Sequence, residues 1–294
     1  HANSVGPREF FYDFGRFDNE GFGFIYTTNT YGQYTGIDHG GDRLDGAPHT
    51  RGLLPTLYSG EIDFNDSVSI FLDGTTVYSS AITLSALSTN EVREAPIRNN
   101  DNGPVTLGRQ SKTGNLGARL YSGDIAELVV YDALVSPTDV QKIQTYFGLK
   151  YGIHVPHDYL ASDGSTIWNS TTLAAYHNGV AGIGRDDGGR LNQLQSTGHG
   201  EDTLVAIGLG SVAASNAANG SSFSADKSFM IWGNNGATGT TGKFSNRVWT
   251  ISETGTVGAV EIRLPASVEY DSMYVNSSDP TFSSGKVETV SYTH

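Results

Sequence analysis

Over the first half of the chain, apolar and polar residues alternate with the two-residue period of a strand buried on one face. Phe10–Phe14, Phe22–Thr27, Ser67–Leu72, Thr75–Ser79 and Asp124–Asp132 are each rich in β-branched and aromatic residues and bounded by Gly, Asn or Asp, which predicts five strands. Within Ser67–Leu72, Val68, Ile70 and Leu72 share one face, and Asp73-Gly74 supplies the tight turn into Thr75–Tyr78, so this pair reads as a hairpin. Helical spacing occurs in one place. Ser136 is an N-cap, Pro137 suits the first helical position, Asp139 lies in the first turn, and Val140, Ile143 and Phe147 recur on one side. Lys150 sits near the end and Gly152 stops the helix.

A connector, His154-Val155-Pro156-His157-Asp158, follows, and then a second run of strands: Val180–Arg185, Thr203–Gly210, Ser228–Gly233, Arg247–Glu253, Val257–Leu264 and Met273–Asn276. The stretch Ser211–Ser224, rich in Ala, Ser, Asn and Gly, reads as a surface loop. The chain is therefore expected to be all-β and antiparallel with one short helix, in two domains, 1–153 and 154–294. No repeat of fixed period joins them.

Composition narrows the function. The 294 residues include 37 Gly and 9 Pro, which favours turns over long helices. The 31 acidic against 18 basic side chains give a net charge of −13 at pH 7, a field that repels nucleic acid. No apolar run reaches the ~18 residues of a membrane helix. The absence of cysteine excludes disulfides, zinc-thiolate sites and Cys nucleophiles. An acidic, Gly-rich, cysteine-free chain of many strands suits export from a Gram-negative bacterium, and a start at His1 is expected of a processed product or fragment.

Leu107-Gly108-Arg109, then Tyr121-Ser122-Gly123-Asp124-Ile125-Ala126-Glu127-Leu128-Val129-Val130-Tyr131-Asp132, and Tyr146-Phe147-Gly148-Leu149-Lys150-Tyr151-Gly152-Ile153 resemble the end of a laminin-G-like, concanavalin A-like jelly-roll domain. The segments Val180–Asp187, Leu191–Gln193, Phe223–Trp232 and Arg247–Gly255 are similar to the β domain that follows such modules in large secreted bacterial proteins. The resemblance implies a jelly-roll sandwich followed by an accessory β-sandwich domain, in an extracellular or cell-surface protein. Such proteins are commonly adhesins or polysaccharide-associated. The pattern usually has further strands before the one that Phe10–Phe14 resembles, so an open sheet edge is expected there, a place for self-association by strand addition.

The candidate chemistry is sparse. Glu61-Ile62-Asp63-Phe64-Asn65-Asp66 is similar to the catalytic strand of laminarinase-type glycoside hydrolases. Asn65 stands at the acid/base position, which removes the proton donor and leaves solvent-facing strand residues. Asp38, Asp42 and Asp45 crowd a Gly-rich loop, Gly36–Gly46, with hard oxygen ligands suited to calcium. Tyr31 and Tyr34 flank Gly32-Gln33 just before it and offer aromatic faces for a glycan. Asp186 and Asp187 beside Arg185 read as an ion-paired turn, His154 and His157 as exposed linker residues, and Trp168, Trp232 and Trp249 as core. No nucleophile elbow, phosphate loop or dinucleotide fingerprint is present. The expected function is a non-catalytic extracellular module for adhesion or glycan binding. A structural subunit of a fibre or matrix and a polysaccharide hydrolase or lyase on a jelly roll are the alternatives.

Overall fold

A computed structural model describes residues 8–14, 22–29, 32–39, 42–48, 54–63, 67–81, 106–108, 120–121, 123–198, 205–241, 244–264, 272–276 and 287–291. The chain is all-β and antiparallel with one long helix among these residues, and no helix is long and apolar enough to cross a membrane. It divides into two compact units, His1–Pro137 and Thr138–His294.

The first unit carries β1 (Arg8–Phe14), β2 (Phe22–Asn29), β3 (Gly32–His39), β4 (Asp42–Pro48), β5 (Tyr58–Asp63), β6 (Ser67–Leu72), β7 (Thr75–Ala81) and β8 (Thr106–Leu107). One sheet has the order β4-β3-β2-β1-β8 and the other β5-β6-β7. The β6–β7 hairpin turns at Asp73 and Gly74, with φ of 49° and 81°. Two successive positive φ values twist the turn with the strands, and Asp followed by Gly tolerates them. Leu57 donates its backbone N–H to the Asp73 carboxylate at 2.7 Å, so the turn also pins the approach to β5.

β2 pairs along β1 from Arg8 to Phe14, and on its other side β8 lies opposite Tyr12 and Asp13. One expectation for this unit is corrected. Asp124–Asp132 is not a strand. Among the described residues it joins no ladder, and Leu128, Val129, Val130 and Tyr131 are exposed in succession. A continuous apolar run has strand propensity, but a strand exists only where a partner supplies the backbone bonds.

The second unit opens with α1 (Pro137–Tyr151). The helix ends as its glycine predicts. Gly152 has a φ of 67°, and the Ile153 N–H reaches back to the Gly148 carbonyl at 3.0 Å, closing a Schellman cap. After α1 come β9 (Tyr159–Leu160), β10 (Thr166–Trp168), β11 (Asn178–Asp186), β12 (Leu191–Gln193), β13 (Gln195–Thr197), β14 (Ala206–Leu209), β15 (Ser228–Asn234), β16 (Thr240–Thr241), β17 (Phe244–Ser245), β18 (Trp249–Thr254), β19 (Val260–Arg263), β20 (Ser272–Val275) and β21 (Val287–Ser291).

In the central sheet, β12-β11-β15-β18, the inner strands β11 and β15 are buried on both faces. Alternation along β11 and β15 sends Val180, Phe229 and Ile231 toward Leu149 of α1 and toward Tyr159, Ile167 and Trp168 of the β9–β10 hairpin. Ala181, Ile183, Met230 and Trp232 face the other way, onto Ile207 and Leu209 of the β13-β14-β19 sheet. Gly182 lies on the helix side because a Cβ there would stand 2.8 Å from Leu149 Cδ2. The boundary expected after residue 153 thus falls before the helix, whose Leu149 is wholly buried in the second core. The loop Ser211–Ser224 is irregular as expected, but Asn219 and Phe223 are buried and anchor it.

Candidate functional site

Two side-chain clusters of the second unit gather titratable groups. In the first, Asp186 at the end of β11 is almost fully buried. Its carboxylate accepts the Ser162 N–H at 2.7 Å, the Ser162 hydroxyl at 2.6 Å and the Gly189 N–H at 3.0 Å. Lys227, just before β15, donates to the same carboxylate and to the Ser162 hydroxyl. Register explains the pairing, since Arg185 lies opposite Ser228, so the next residues along the two strands meet. Burial pushes the Asp186 carboxyl up, but the bonds from Lys227, Ser162 and Gly189 outweigh it and hold the group at about 2. An ionised carboxylate held by four donors, the Lys227 countercharge among them, is neither a proton shuttle nor an electrophile, so the cluster works as a staple. Beside it Arg185 grips Asp187 through two bonds of 2.8 Å, the ion-paired turn expected from sequence.

The second cluster is built of histidines. His154 and His157, expected to be exposed, are half-buried beneath α1 and meet His177, which follows the 3-10 turn Ala174–Tyr176. The His154 and His177 ring centroids are 4.8 Å apart at an interplanar angle of 66°. The Trp168 indole N–H donates to His177 Nδ1 at 3.0 Å, and His157 lies between the Asp158 carbonyl and the Gln144 side chain. His154 Nδ1 and His177 Nε2 are sealed from solvent without a well-aligned hydrogen-bond partner. Burial, reinforced by His177 and His157, holds His154 down at about 4, and burial also lowers His177 despite the opposing pull of the Pro156 carbonyl and Asp158. Among the described residues no three His, Asp or Glu side chains are grouped to hold a metal ion. The tautomer of His177 agrees: with Nδ1 accepting from Trp168, its Nε2 carries the proton and has no lone pair for a metal.

The model of one protein family, a domain of unknown function (DUF8202), matches residues 139–294, more than half of the chain and nearly all of the second unit. The chain belongs to the DUF8202 family. No curated protein and no solved structure matches it. The DUF8202 match starts inside α1, so the family unit includes the helix, in agreement with its packing.

The sites expected from sequence lie in the first unit. Tyr31, Asn65 and Asp66 fall outside the described residues. Tyr34 and Asp38 stand on β3, Asp42 and Asp45 on β4, so the expected Gly-rich loop is a strand pair. Register sets Asp38 opposite Arg43, Gly36 opposite Asp45 and His39 opposite Asp42. Glu61 and Asp63 end β5, where Glu61 pairs with Ser69 and burial raises its carboxyl. Sequence reasoning named Asp186, His154 and His157 but missed Ser162, Lys227 and His177, which complete the two clusters. The available signal was the placement of His154 between Ile153 and Val155, two residues buried in the structure.

Proposed function

We propose that this chain is a non-catalytic binding module of an extracellular bacterial protein, in which the DUF8202 unit is a rigid support and the first unit, a laminin-G-like jelly roll, carries the adhesive or glycan-binding surface. The observation that carries the reading is the commitment of the second unit's ionised groups to its own backbone: Asp186 to Ser162 and Gly189, Asp158 to Ser170, and Glu261 to Val212. Acids and bases spent on holding loops support a scaffold role. Tyr31 and Tyr34 are the proposed sugar contacts. Calcium at the β3–β4 pair, with Asp38, Asp42 and Asp45 as the ligands, is a lesser part of the proposal. A glycan array probed with the full chain tests it. Binding that Tyr34→Ala weakens and chelator reduces is expected, whereas β-glucan hydrolysis abolished by Glu61→Gln replaces the reading with the hydrolase.

A second reading rests on the run of exposed apolar residues Leu128–Tyr131, which belongs to no ladder among the described residues. An extended apolar segment of that length suits strand addition in a fibre or matrix. Sedimentation of the isolated chain separates the two: a polymer that Val130→Lys dissolves favours the structural subunit, and a monomer favours the binding module.

A further inference from the structure

The geometry points to an acid-released latch formed by Trp168, His177 and His154, a chain of donors and acceptors that closes in a single protonation state. The indole N–H only donates, so Nδ1 of His177 carries a lone pair and the ring proton sits on Nε2. That Nε2–H and the Nδ1 of His154 are both buried on rings 4.8 Å apart and neither makes a well-aligned hydrogen bond, the Pro156 carbonyl lying near His177. With its own proton on Nε2, His154 offers at Nδ1 a lone pair to that buried N–H. Joined, the run is Trp168 to His177 to His154.

Adding a proton breaks this chain wherever it lands. On His154 Nδ1 it opposes two N–H groups at a buried contact, and on His177 Nδ1 it opposes the indole N–H. The titratable groups acting on the pair are His157, whose charge disfavours protonation of either ring, and Asp158, which favours it at His177. From α1 the neutral Gln144 side chain reaches the cluster through His157, and from β10 the contribution is the neutral indole. Each ring of the latch sits on a separate piece of the cover over Val180, Phe229 and Ile231: the exit of α1, the end of the 3-10 turn, and β10. Release therefore loosens that cover while the β11–β15 and β15–β18 ladders stay paired. Acid would expose the Tyr159 and Trp168 side of the module without unfolding its sheet.

Hydrogen exchange of the full chain between about pH 7 and about pH 4, corrected for the intrinsic chemical rate, tests the latch. Protection over residues 153–160 and 166–177 is expected to fall roughly tenfold or more toward the acid end while β15 keeps its own, and in His154→Phe, which cannot accept from His177, protection there is expected to be low and the same at both ends. Unchanged protection in the parent chain, a parallel loss in β15, or an unaltered loss in His154→Phe overturns it. Should that variant not fold, ring nitrogen shifts of the parent chain decide: a neutral His177 with its proton on Nε2 supports the latch, and a proton on Nδ1, or a His154 titrating at its ordinary 6.5, overturns it.

Discussion

Ser162 and Asp186, 24 residues apart, are joined twice, through the Ser162 N–H at 2.7 Å and its hydroxyl at 2.6 Å. These bonds tie the β9–β10 turn to the end of β11, and Lys227 supplies the countercharge from the start of β15. Asp186→Asn keeps the shape but removes the charge and turns an acceptor into a donor facing Lys227. The variant is expected to lose about 2–3 kcal/mol of stability in urea melts. Asp187→Asn, which touches an exposed pair, is expected to leave the midpoint unchanged.

Acid acts on the two clusters in separate windows. His154, held at about 4 in the fold against 6.5 when free, contributes stability that is complete above 6.5 and declines as pH falls toward 4, by about 3 kcal/mol at most. Asp186, at about 2 against 3.8, contributes above 3.8 and loses its share as pH falls toward 2. Urea midpoints of the parent chain are thus expected to decline in two steps, the upper one missing in His154→Phe. A single step below pH 4 would assign no role to the histidine.

Gly182 was part of the recognised β11 pattern, but its reason lies in the packing. An added Cβ meets Leu149 Cδ2 at 2.8 Å, Ile231 Cγ1 at 3.0 Å and the Met230 carbonyl at 3.1 Å. Gly182→Ala is expected to cost about 1–3 kcal/mol through forced displacement of α1. Pairing it with Leu149→Ala is expected to cost less than the sum of the two, since the smaller side chain makes the room.

Elements whose signal is local were legible in sequence. The Asp73-Gly74 turn and the ends of α1 depend on residues beside them, and the helix starts at Pro137 and closes at Gly152 where the pattern puts it. What α1 packs against was not legible, because Val140, Ile143 and Phe147 state that a face is buried and not by what. The Asp124–Asp132 segment shows the converse, strand propensity without a ladder. The staple and the histidine chain join residues 24 and 23 positions apart through side chains, as in Ser162–Asp186 and His154–His177, and no spacing rule reaches that far.

The placement of the unit boundary carries the last prediction. A division at residue 153 makes α1 the closing element of the first unit, and a fragment 154–294 would then fold alone. The packing says otherwise. Leu149 is wholly buried against Val155, Tyr159, Val180 and Ile231, and Thr145 accepts the Leu160 N–H at 2.9 Å, so removing the helix strips one face of the central sheet and leaves a buried donor without its partner. A fragment 133–294, which keeps the Ser136 cap, is expected to melt cooperatively with the midpoint of the second transition of the full chain. A fragment 154–294 is expected to show no cooperative melt and to bind a hydrophobic dye. Equal midpoints for the two fragments would return α1 to the first unit.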